Sequence, residues 1–475
     1  MESRWDVYVL TTARNIIFMT DIKKDQIIEL DITDLNNLGN GVGRYPDGEG
    51  KVVFVRGAVS TERVRAKVIK VNSGFAVAKL LEIISPSPHR TKTEFCAAPL
   101  SCGGCVYRHI TYEHELFVKH NYVKNAFAKA GFSDVDILPV ISTGKYTHYR
   151  NKGQYPIAKT KSGVFAGFFA AKTHNIIPAE NCAIQNEQFD PILRFVCEFA
   201  QNNGWSIYDE QSGNGLLRHV YIRIGEATDE IMLCLVINGI SVPNEAKFVE
   251  EAKSRFQNIV SIIVNTNEKS TNVVLGDEYR TVYGKDGIED VLCGLRFFIT
   301  PASFYQVNRE GAELLYSKAA EMAELRGDEV AMDLYCGTGT IGLSMADKVS
   351  KLCGIEIVKS AVECAKENAE RNGIKNASFV CADAGDAQTI LDALGGERPD
   401  VVIMDPPRKG STKELVDCLA SLDVPKVVYI SCDPDTLARD AAWFRENGYK
   451  MSAVQPVDMF PRTGHVENVV CLTRK

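Results

Sequence analysis

The sequence predicts a multidomain α/β protein, and three observations along its 475 residues support this. Five short β-rich runs separated by turns fill residues 20–84, as in a small barrel. Residues 90–290 alternate short strands with two helical stretches, which favours an α+β domain with an antiparallel sheet. From residue 291 to 475 strands alternate regularly with helices, which predicts a parallel, doubly wound, Rossmann-like sheet.

Composition and charge narrow the class of protein. The formal net charge is −7, no long apolar run occurs, and the start of the chain lacks an apolar core. We therefore expect no membrane helix and no secretory signal, and a monomer in the cytoplasm. Fourteen cysteines are many for that compartment. Because thiols stay reduced there, clustered cysteines suggest metal binding or catalysis before disulfides.

The first predicted domain resembles a barrel of the oligonucleotide-binding kind. Between positions 51 and 79, seven basic residues accompany a single acid, Glu62. The basic residues are Lys51, Arg56, Arg63, Arg65, Lys67, Lys70 and Lys79. This pattern is compatible with RNA contact and equally with an ordinary solvated face.

A proline-rich stretch at 85–90 predicts a linker, and apolar residues at helical spacing predict a helix within 110–131. Gly131 would end that helix. The helix follows a cysteine cluster and could pack on the C-terminal domain. The rest of 90–290 offers two further helices, at 188–203 and 244–256.

A glycine loop follows the first strand of the C-terminal sheet, in "DLYCGTGTIGL". Glycines there let the backbone approach a ligand at the carboxyl end of the strand. Glu356 ends the next strand, where an acid commonly binds ribose hydroxyls. The spacing also fits a dinucleotide fingerprint, so NAD remains an alternative, but the cysteine-containing form favours S-adenosylmethionine. Asp383 and Asp405 end the following two strands.

A cysteine, Cys432, stands where the fifth strand meets the turn "SCDP". Taken alone, a free cysteine is most often a small buried apolar residue. The same sheet edge also offers a methyl-donor loop, and the C-terminal "TGHVENV" adds His465 and Glu467. Carbon 5 of uracil takes a methyl group only after a thiolate adds to carbon 6, and a base must then remove the carbon-5 proton. Cys432 and Glu467 suit those two roles.

Five ordered motifs resemble the RNA uracil-5-methyltransferase family. They are "FYQVN", "DLYCGTGTIGL", "DPPRKG", "ISCDPDTLARD" and "TGHVENV". The likeness is greatest to the bacterial 23S ribosomal RNA enzymes, which have an N-terminal TRAM domain and an iron–sulfur cluster. It implies a class I methyltransferase domain with Cys432 as the nucleophile and Glu467 as the base. It also implies S-adenosylmethionine contacts from five residues: Gln306, Tyr335, Glu356, Asp383 and Asp405. Thr340 stands where some relatives have asparagine.

A cysteine cluster, Cys96, Cys102 and Cys105, has a possible fourth member in Cys182. Four thiolates suit zinc or an iron–sulfur cluster, and a single C-x2-C fits a zinc ribbon poorly. The family resemblance implies a 4Fe–4S cluster with these four ligands. We expect it to hold a loop and help bind RNA, since the methyl transfer contains no redox step.

The neighbouring "YRNKGQY" offers Arg150 and Lys152 as cations, and Tyr149 and Tyr155 as rings on which RNA bases could stack. Three functions stay open besides uridine methylation in 23S ribosomal RNA. One is uracil-5-methylation of transfer RNA. Another is a cytosine-5 or adenine-N6 methyltransferase on the same fold. The third is a non-catalytic iron–sulfur protein that binds RNA.

Overall fold

A computed structural model describes residues 22–45, 50–92, 96–99, 101–171, 173–383, 385 and 387–474. The chain divides into two compact units after Arg90. In the part of the chain that is described, no helix is long and apolar enough to cross a membrane.

The first unit is a closed five-stranded barrel, which confirms the predicted N-terminal barrel. Its strands are β1 (Ile27–Leu35), β2 (Asn40–Tyr45), β3 (Lys51–Arg56), β4 (Arg63–Val71) and β5 (Phe75–Ser85). Their order around the barrel is β1-β2-β3-β5-β4. Alternate residues such as Leu30, Val53 and Val64 are fully buried, because successive side chains of a strand point to opposite faces.

The predicted basic face of this barrel is partly neutralised. Three of its seven cations pair with acids on or next to β1: Arg63 with Asp31 at 3.0 Å, Arg65 with Glu29 at 2.8 Å and Lys67 with Asp25 at 2.9 Å. The antiparallel register between β1 and β4 brings these partners together. The count over residues 51–79 missed them because the acids lie earlier in the chain, so it overstated the positive charge.

The second unit begins with a helix, α1 (Tyr112–Lys129), and a short strand, β6 (Asp136–Ile137). The Thr111 side chain caps the helix by accepting a hydrogen bond from the His114 amide. β6 pairs with a strand of the C-terminal sheet described below, and α1 packs against that sheet's last helix. Residues 112–137 therefore pack with the C-terminal sheet.

The middle of the chain forms a seven-stranded sheet. Its strands are β7 (Lys152–Thr160), β8 (Gly163–Phe169), β9 (Ile176–Pro178), β10 (Leu217–Ile224), β11 (Ile231–Ile237), β12 (Ile259–Thr266) and β13 (Glu278–Gly284). Two helices accompany it, α2 (Phe189–Asn202) and α3 (Glu245–Arg255). The strand order is β13-β12-β11-β10-β7-β8-β9.

This sheet is not wholly antiparallel as the sequence suggested, because β11 and β12 run parallel. The helix α3 lies between them in the chain, and a crossover of that kind is what joins parallel neighbours. β10 and β11 are buried along their whole length.

A hairpin of β14 (Ile288–Leu292) and β15 (Leu295–Ile299) leads into the C-terminal sheet. That sheet contains β16 (Val330–Leu334), β17 (Lys351–Glu356), β18 (Ala377–Cys381), β19 (Val401–Met404), β20 (Lys426–Ser431), β21 (Tyr449–Val457) and β22 (Glu467–Arg474). Its helices are α4 (Arg309–Ala323), α5 (Thr340–Leu343), α6 (Lys359–Arg371), α7 (Ala387–Ala393), α8 (Lys413–Ser421) and α9 (Pro434–Glu446), with a 3-10 turn at Ala346–Lys348.

The strand order, β18-β17-β16-β19-β20-β22-β21-β6, is that of a doubly wound sheet and confirms the predicted methyltransferase-type fold. The first five strands are parallel, so their carboxyl ends meet at one edge. β22 is antiparallel to both of its neighbours and lies between β20 and β21. Apolar clusters cover both faces of the sheet.

Candidate active site

A cavity of about 1350 Å³ lies at the carboxyl edge of the C-terminal sheet and extends to the cysteine cluster. All eleven predicted site residues line it. They are Cys96, Cys102, Cys105, Cys182, Gln306, Tyr335, Glu356, Asp383, Asp405, Cys432 and Glu467. The predicted donor, nucleophile, base and cysteine positions therefore share one space.

The glycine loop after β16 has the shape that a bound ligand needs. Tyr335 and Gly337 both have positive φ, of 62° and 54°, so the chain turns back sharply at the strand end. The Glu356 carboxylate accepts a hydrogen bond from the Gly337 amide at 3.2 Å. The Asp333 carboxylate accepts from the Gly342 amide at 2.9 Å, and burial raises the pKa of Asp333 to about 7. These bonds hold the loop open toward the cavity.

Gln306 is positioned from the middle sheet. The Asn151 side chain donates a hydrogen bond to the Gln306 carbonyl at 2.9 Å, and the Asn151 amide donates to the Val307 carbonyl at 2.8 Å. Arg223, fully buried in β10, donates to the Tyr305 carbonyl at 2.9 Å. The segment that carries Gln306 is thus bound to β7 and β10.

Thr340 makes a contact of its own inside the protein. Its hydroxyl lies 3.2 Å from the hydroxyl of Tyr316, and both side chains are buried. The residue that departs from the family pattern therefore hydrogen bonds to α4.

Cys432 and Glu467 lie at neighbouring strand ends. The ladder between β20 and β22 ends with the pair Ser431 and Asn468. Cys432 directly follows Ser431 and Glu467 directly precedes Asn468, and burial and then the nearby negative charge of the Glu467 carboxyl raise the pKa of Cys432. Glu467 also pairs with Val457 of β21. A thiol and a carboxyl from chain positions far apart are thereby placed together.

The ionisation of these groups is coupled. The pKa of Cys432 is raised to about 11, chiefly by burial and then by the carboxyls of Glu467 and Asp405, with Arg408 opposing the shift. The pKa of Glu467 is raised to about 8, again by burial first and by Asp405 second, and Arg408 again opposes. Burial raises the pKa of Asp405 to about 7. Arg408 is therefore the cation that favours the charged forms of both Cys432 and Glu467.

The start of α9 follows Cys432 directly. Asp433 caps this helix by accepting hydrogen bonds from the amides of Asp435 and Thr436, at 3.0 and 3.1 Å. Pro434 occupies the first turn, where its missing N–H costs nothing. The positive end of the helix dipole adds to the effect of Arg408 in favouring a thiolate at Cys432.

The loop between β21 and β22 is held by a buried ionic network. Lys119 of α1 lies between Glu115 at 2.8 Å and Asp458 at 2.7 Å, and it donates to the Phe460 carbonyl at 3.1 Å. Glu115 accepts from the Arg462 amide at 2.6 Å. Removing one member of such a buried set costs roughly 3–5 kcal/mol. The loop just before Glu467 is therefore firmly fixed.

The same loop is bonded to the cysteine turn. The Arg462 carbonyl accepts hydrogen bonds from the amides of Val106 and Tyr107, at 2.9 and 3.2 Å. The Tyr149 hydroxyl donates to the Pro461 carbonyl at 2.8 Å. The segment that directly follows Cys105 therefore contacts the loop that leads to Glu467.

The cysteine cluster alters the pKa values of Cys105 and Cys182. Burial raises the pKa of Cys105 strongly, and the thiols of Cys182, Cys102 and Cys96 raise it further in that order. The pKa of Cys182 is raised to about 11, mainly by burial. Within the described residues, no three His, Cys, Asp or Glu side chains have the arrangement of a metal site. The thiols therefore share one end of the cavity without forming a ligand shell in this structure.

Known proteins resemble the chain over nearly its whole length. The model of the family described as tRNA (Uracil-5-)-methyltransferase matches residues 111–475, and that of the TRAM domain matches residues 23–81. The chain belongs to this methyltransferase family. An uncharacterized RNA methyltransferase of Clostridium tetani is 42% identical over 95% of this chain and 97% of its own length. Another, from Bacillus cereus, is 39% identical over 95% and 98%.

A solved structure agrees with this result. The tRNA (uracil-54, C5)-methyltransferase of Pyrococcus abyssi, in complex with S-adenosyl-L-homocysteine, matches with a TM-score of 0.77 and 26% identity. The match covers 94% of this chain and 100% of that one. The uracil-5-methyltransferase family model thus covers the middle and C-terminal sheets, and the TRAM model covers the barrel.

One prediction about the uracil-5-methyltransferase site is wrong. Tyr149 and Tyr155 are both fully buried, so their rings are not available for stacking on RNA bases. Tyr155 packs in the core of the middle sheet, because it lies on the face of β7 opposite to the cavity. Their neighbours Arg150 and Lys152 do line the cavity.

Three residues that shape the site were not assigned a role from the sequence: Asn151, Arg223 and Arg408. Arg223 could have been noticed, because a charge inside the apolar run "LRHVYIRI" requires buried partners. Arg408 stands in the quoted "DPPRKG" motif, but its effect on Cys432 depends on the fold. Asn151 has no local pattern that marks it.

Proposed function

We propose that the protein transfers a methyl group from S-adenosylmethionine to carbon 5 of a uridine in 23S ribosomal RNA. The observation that carries the proposal is that Cys432 and Glu467, at the end of the β20–β22 ladder, line the same cavity as the glycine loop. A reaction at carbon 5 of uracil needs a nucleophile and a separate base around one ring.

The donor would be held by Gln306, Tyr335, Glu356, Asp383 and Asp405, which all line the cavity. When bound, S-adenosylmethionine supplies an electrophilic methyl group and leaves as S-adenosylhomocysteine. The exposed Ile357 and Val358 after Glu356 offer an apolar surface for a ring. The cavity exceeds the roughly 300–1,000 Å³ of a pocket for one small ligand, which suits a donor and a base together.

The Cys432 thiolate would form a bond from sulfur to carbon 6 of the uracil. The electrons of the ring double bond then make carbon 5 nucleophilic, and carbon 5 takes the methyl group. The Glu467 carboxylate removes the proton from carbon 5, the double bond forms again, and Cys432 leaves as the thiolate. A pKa of about 8 makes Glu467 a stronger base than an ordinary carboxylate. The uridine must leave its stack to reach Cys432.

Transfer RNA is the second candidate substrate. It is favoured by the Pyrococcus abyssi enzyme, whose match extends over 94% of this chain and whose target is uracil 54 of transfer RNA. The 23S ribosomal assignment is supported by the motif resemblance, together with the TRAM match and the four cysteines lining the cavity.

The test of function uses RNA transcripts that carry tritium at carbon 5 of uridine. We expect purified protein with S-adenosylmethionine to release tritium into water from a 23S ribosomal transcript, because the carbon-5 proton is lost. Release from a transfer RNA transcript alone would select the second candidate. Methyl incorporation without tritium release would move the reaction to another atom or base.

The four cysteines would bind a 4Fe–4S cluster, with Cys96, Cys102, Cys105 and Cys182 as ligands. Four thiols that line one cavity are a donor set that iron or another soft metal satisfies. The role would be to fix the turn that contacts Arg462.

We expect anaerobically purified protein to contain about four iron and four sulfide per chain. Cys105→Ser should lose both, whereas Cys197→Ser, in the core of the middle sheet, should keep them. Zinc without sulfide in the wild-type protein would contradict the assignment.

A further inference from the structure

Five cations line the cavity, and in the described residues none of them forms an ion pair. They are Arg108, Arg150, Lys152, Arg408 and Lys409. Other enclosed cations of the protein are satisfied, Lys119 and Arg90 by carboxylates and Arg218 and Arg223 by backbone carbonyls. Among the five, Arg108 donates to the Ala98 carbonyl and Arg408 lies 3.4 Å from a ring nitrogen of His465, but none has a carboxylate in ion-pair contact among the described residues.

Lys152 is the clearest case. It begins β7 and lies opposite Arg223 of β10, with no carboxylate beside it. Lys152 and Gln154 line the cavity from one face of β7, while Tyr155 packs in the core on the other face. In the part of the chain that is described, the Lys152 ammonium group has no hydrogen-bond or ion-pair partner.

The surroundings of Lys152 disfavour its charge. Burial, and then the positive charges of Arg223 and Arg150, lower the pKa of Lys152 to about 8. Arg223 has partners of its own, because its guanidinium donates to the carbonyls of Ser303 and Tyr305. Lys152 does not share these partners. An unpaired, partly buried charge is costly to the fold, and a bound anion would offset that cost.

Arg150 extends the same positive wall in two directions. Its amide donates to the Ile184 carbonyl, in the segment that carries Cys182. Its charge also helps to lower the pKa of His465, two residues before Glu467. The cations of this wall therefore reach from the cysteine turn to the loop beside the proposed base.

We propose that Lys152, assisted by Arg150, binds a backbone phosphate of the RNA strand next to the nucleotide that enters the cavity. The inference rests on the proposed RNA substrate. An RNA strand supplies one negative charge per nucleotide, which matches a wall with several cations. The methyl donor carries only one carboxylate, which is fewer negative charges than the cavity wall has cations.

The test compares RNA binding by full-length wild-type protein and its Lys152→Met variant over a series of salt concentrations. We expect the variant to bind the substrate transcript about five- to tenfold more weakly at moderate salt. The slope of log Kd against log salt should fall by about 0.7, the value for one phosphate contact to a single strand. Lys152→Arg should keep the wild-type slope, because it keeps the charge.

The matched control is Lys159→Met, which removes an exposed lysine from the same strand outside the cavity. It should bind RNA as the wild type does. The melting temperature of Lys152→Met should not fall below that of the wild type, since an unpaired enclosed charge is removed. This separates a loss of binding from a loss of folding.

Two outcomes would overturn the phosphate site. One is an unchanged slope and affinity in Lys152→Met. The other is a loss of S-adenosylhomocysteine binding, measured by calorimetry, with RNA binding intact, which would assign Lys152 to the donor carboxylate. Tritium release by the wild-type protein is measured first. Release by the wild type with no change of slope in the variant would reject the site alone, and no release by the wild type would reject the proposed function.

Discussion

Cys432→Ala is expected to abolish both tritium release and methyl incorporation. Without the sulfur, no bond to carbon 6 can form, and carbon 5 of uracil remains a poor nucleophile. We expect the rate to fall by at least about 10⁴-fold, the scale of losing a covalent nucleophile. RNA binding and donor binding should remain near the wild-type values, because the alanine leaves the cations and the glycine loop in place.

Cys381→Ala is the matched control for this substitution. Cys381 is exposed and ends β18 at the same edge of the sheet. Like Cys432, it therefore lies at the carboxyl end of a parallel strand, but its neighbours are different residues. This variant should keep wild-type activity. Methylation that survives in Cys432→Ala would rule out covalent catalysis and favour adenine-N6 chemistry, which requires no thiol.

Glu467→Gln is expected to trap a covalent complex between protein and RNA. The amide keeps the shape of the side chain but cannot accept the carbon-5 proton, so the reaction stops after Cys432 has added and the methyl group has transferred. A methyl-labelled adduct that resists denaturing gels should accumulate, and tritium release should fall by roughly 10²–10⁴-fold.

The wild-type rate should also depend on pH through the same carboxyl. Only the ionised form of Glu467 accepts a proton, and burial raises its pKa to about 8. Below that region the ionised fraction of Glu467 should fall about tenfold per unit of pH and slow tritium release, in addition to the loss of the Cys432 thiolate, whose pKa is about 11. A rate independent of pH between 6 and 8 would argue that another group removes the proton.

Glu180→Gln serves as the control for the trapping experiment. Glu180 lines the same cavity in the segment of Cys182, but no role in the reaction is proposed for it. It should form no stable adduct. A failure of Glu467→Gln to accumulate adduct, with Cys432→Ala inactive, would place the base elsewhere in the cavity.

The C-terminal sheet shows how far local patterns reach. The alternation of strands and helices, the glycine loop and the acids at strand ends all predicted a doubly wound sheet, because parallel strands present their carboxyl ends at one edge. In the middle sheet, the parallel pairing of β11 with β12 was not foreseen. Pairing direction depends on a long crossover rather than on the composition of either strand.

The barrel and the middle sheet show where charge and ring patterns mislead. Part of the positive charge of the barrel's basic run is neutralised by acids of β1, which the register between β1 and β4 places beside it. Tyr149 and Tyr155 looked available for RNA, yet both are buried: Tyr155 of β7 in the core of the middle sheet, and Tyr149 with its hydroxyl bonded to the Pro461 carbonyl. A count of residue types along the chain does not show which face of a strand a side chain occupies when the residues on either side of it are polar.

By itself the sequence determined which residues are proposed for the chemistry, since each lies in a short motif whose spacing reflects local geometry. Only the tertiary structure decided how they meet. Cys432 and Glu467 lie at one end of the same ladder because β22 inserts between β20 and β21 in one particular register. The loop before Glu467 is fixed because Lys119, more than three hundred residues earlier, satisfies Asp458 in the interior. These contacts depend on the packing of segments that are far apart in the chain, and no local sequence pattern records them.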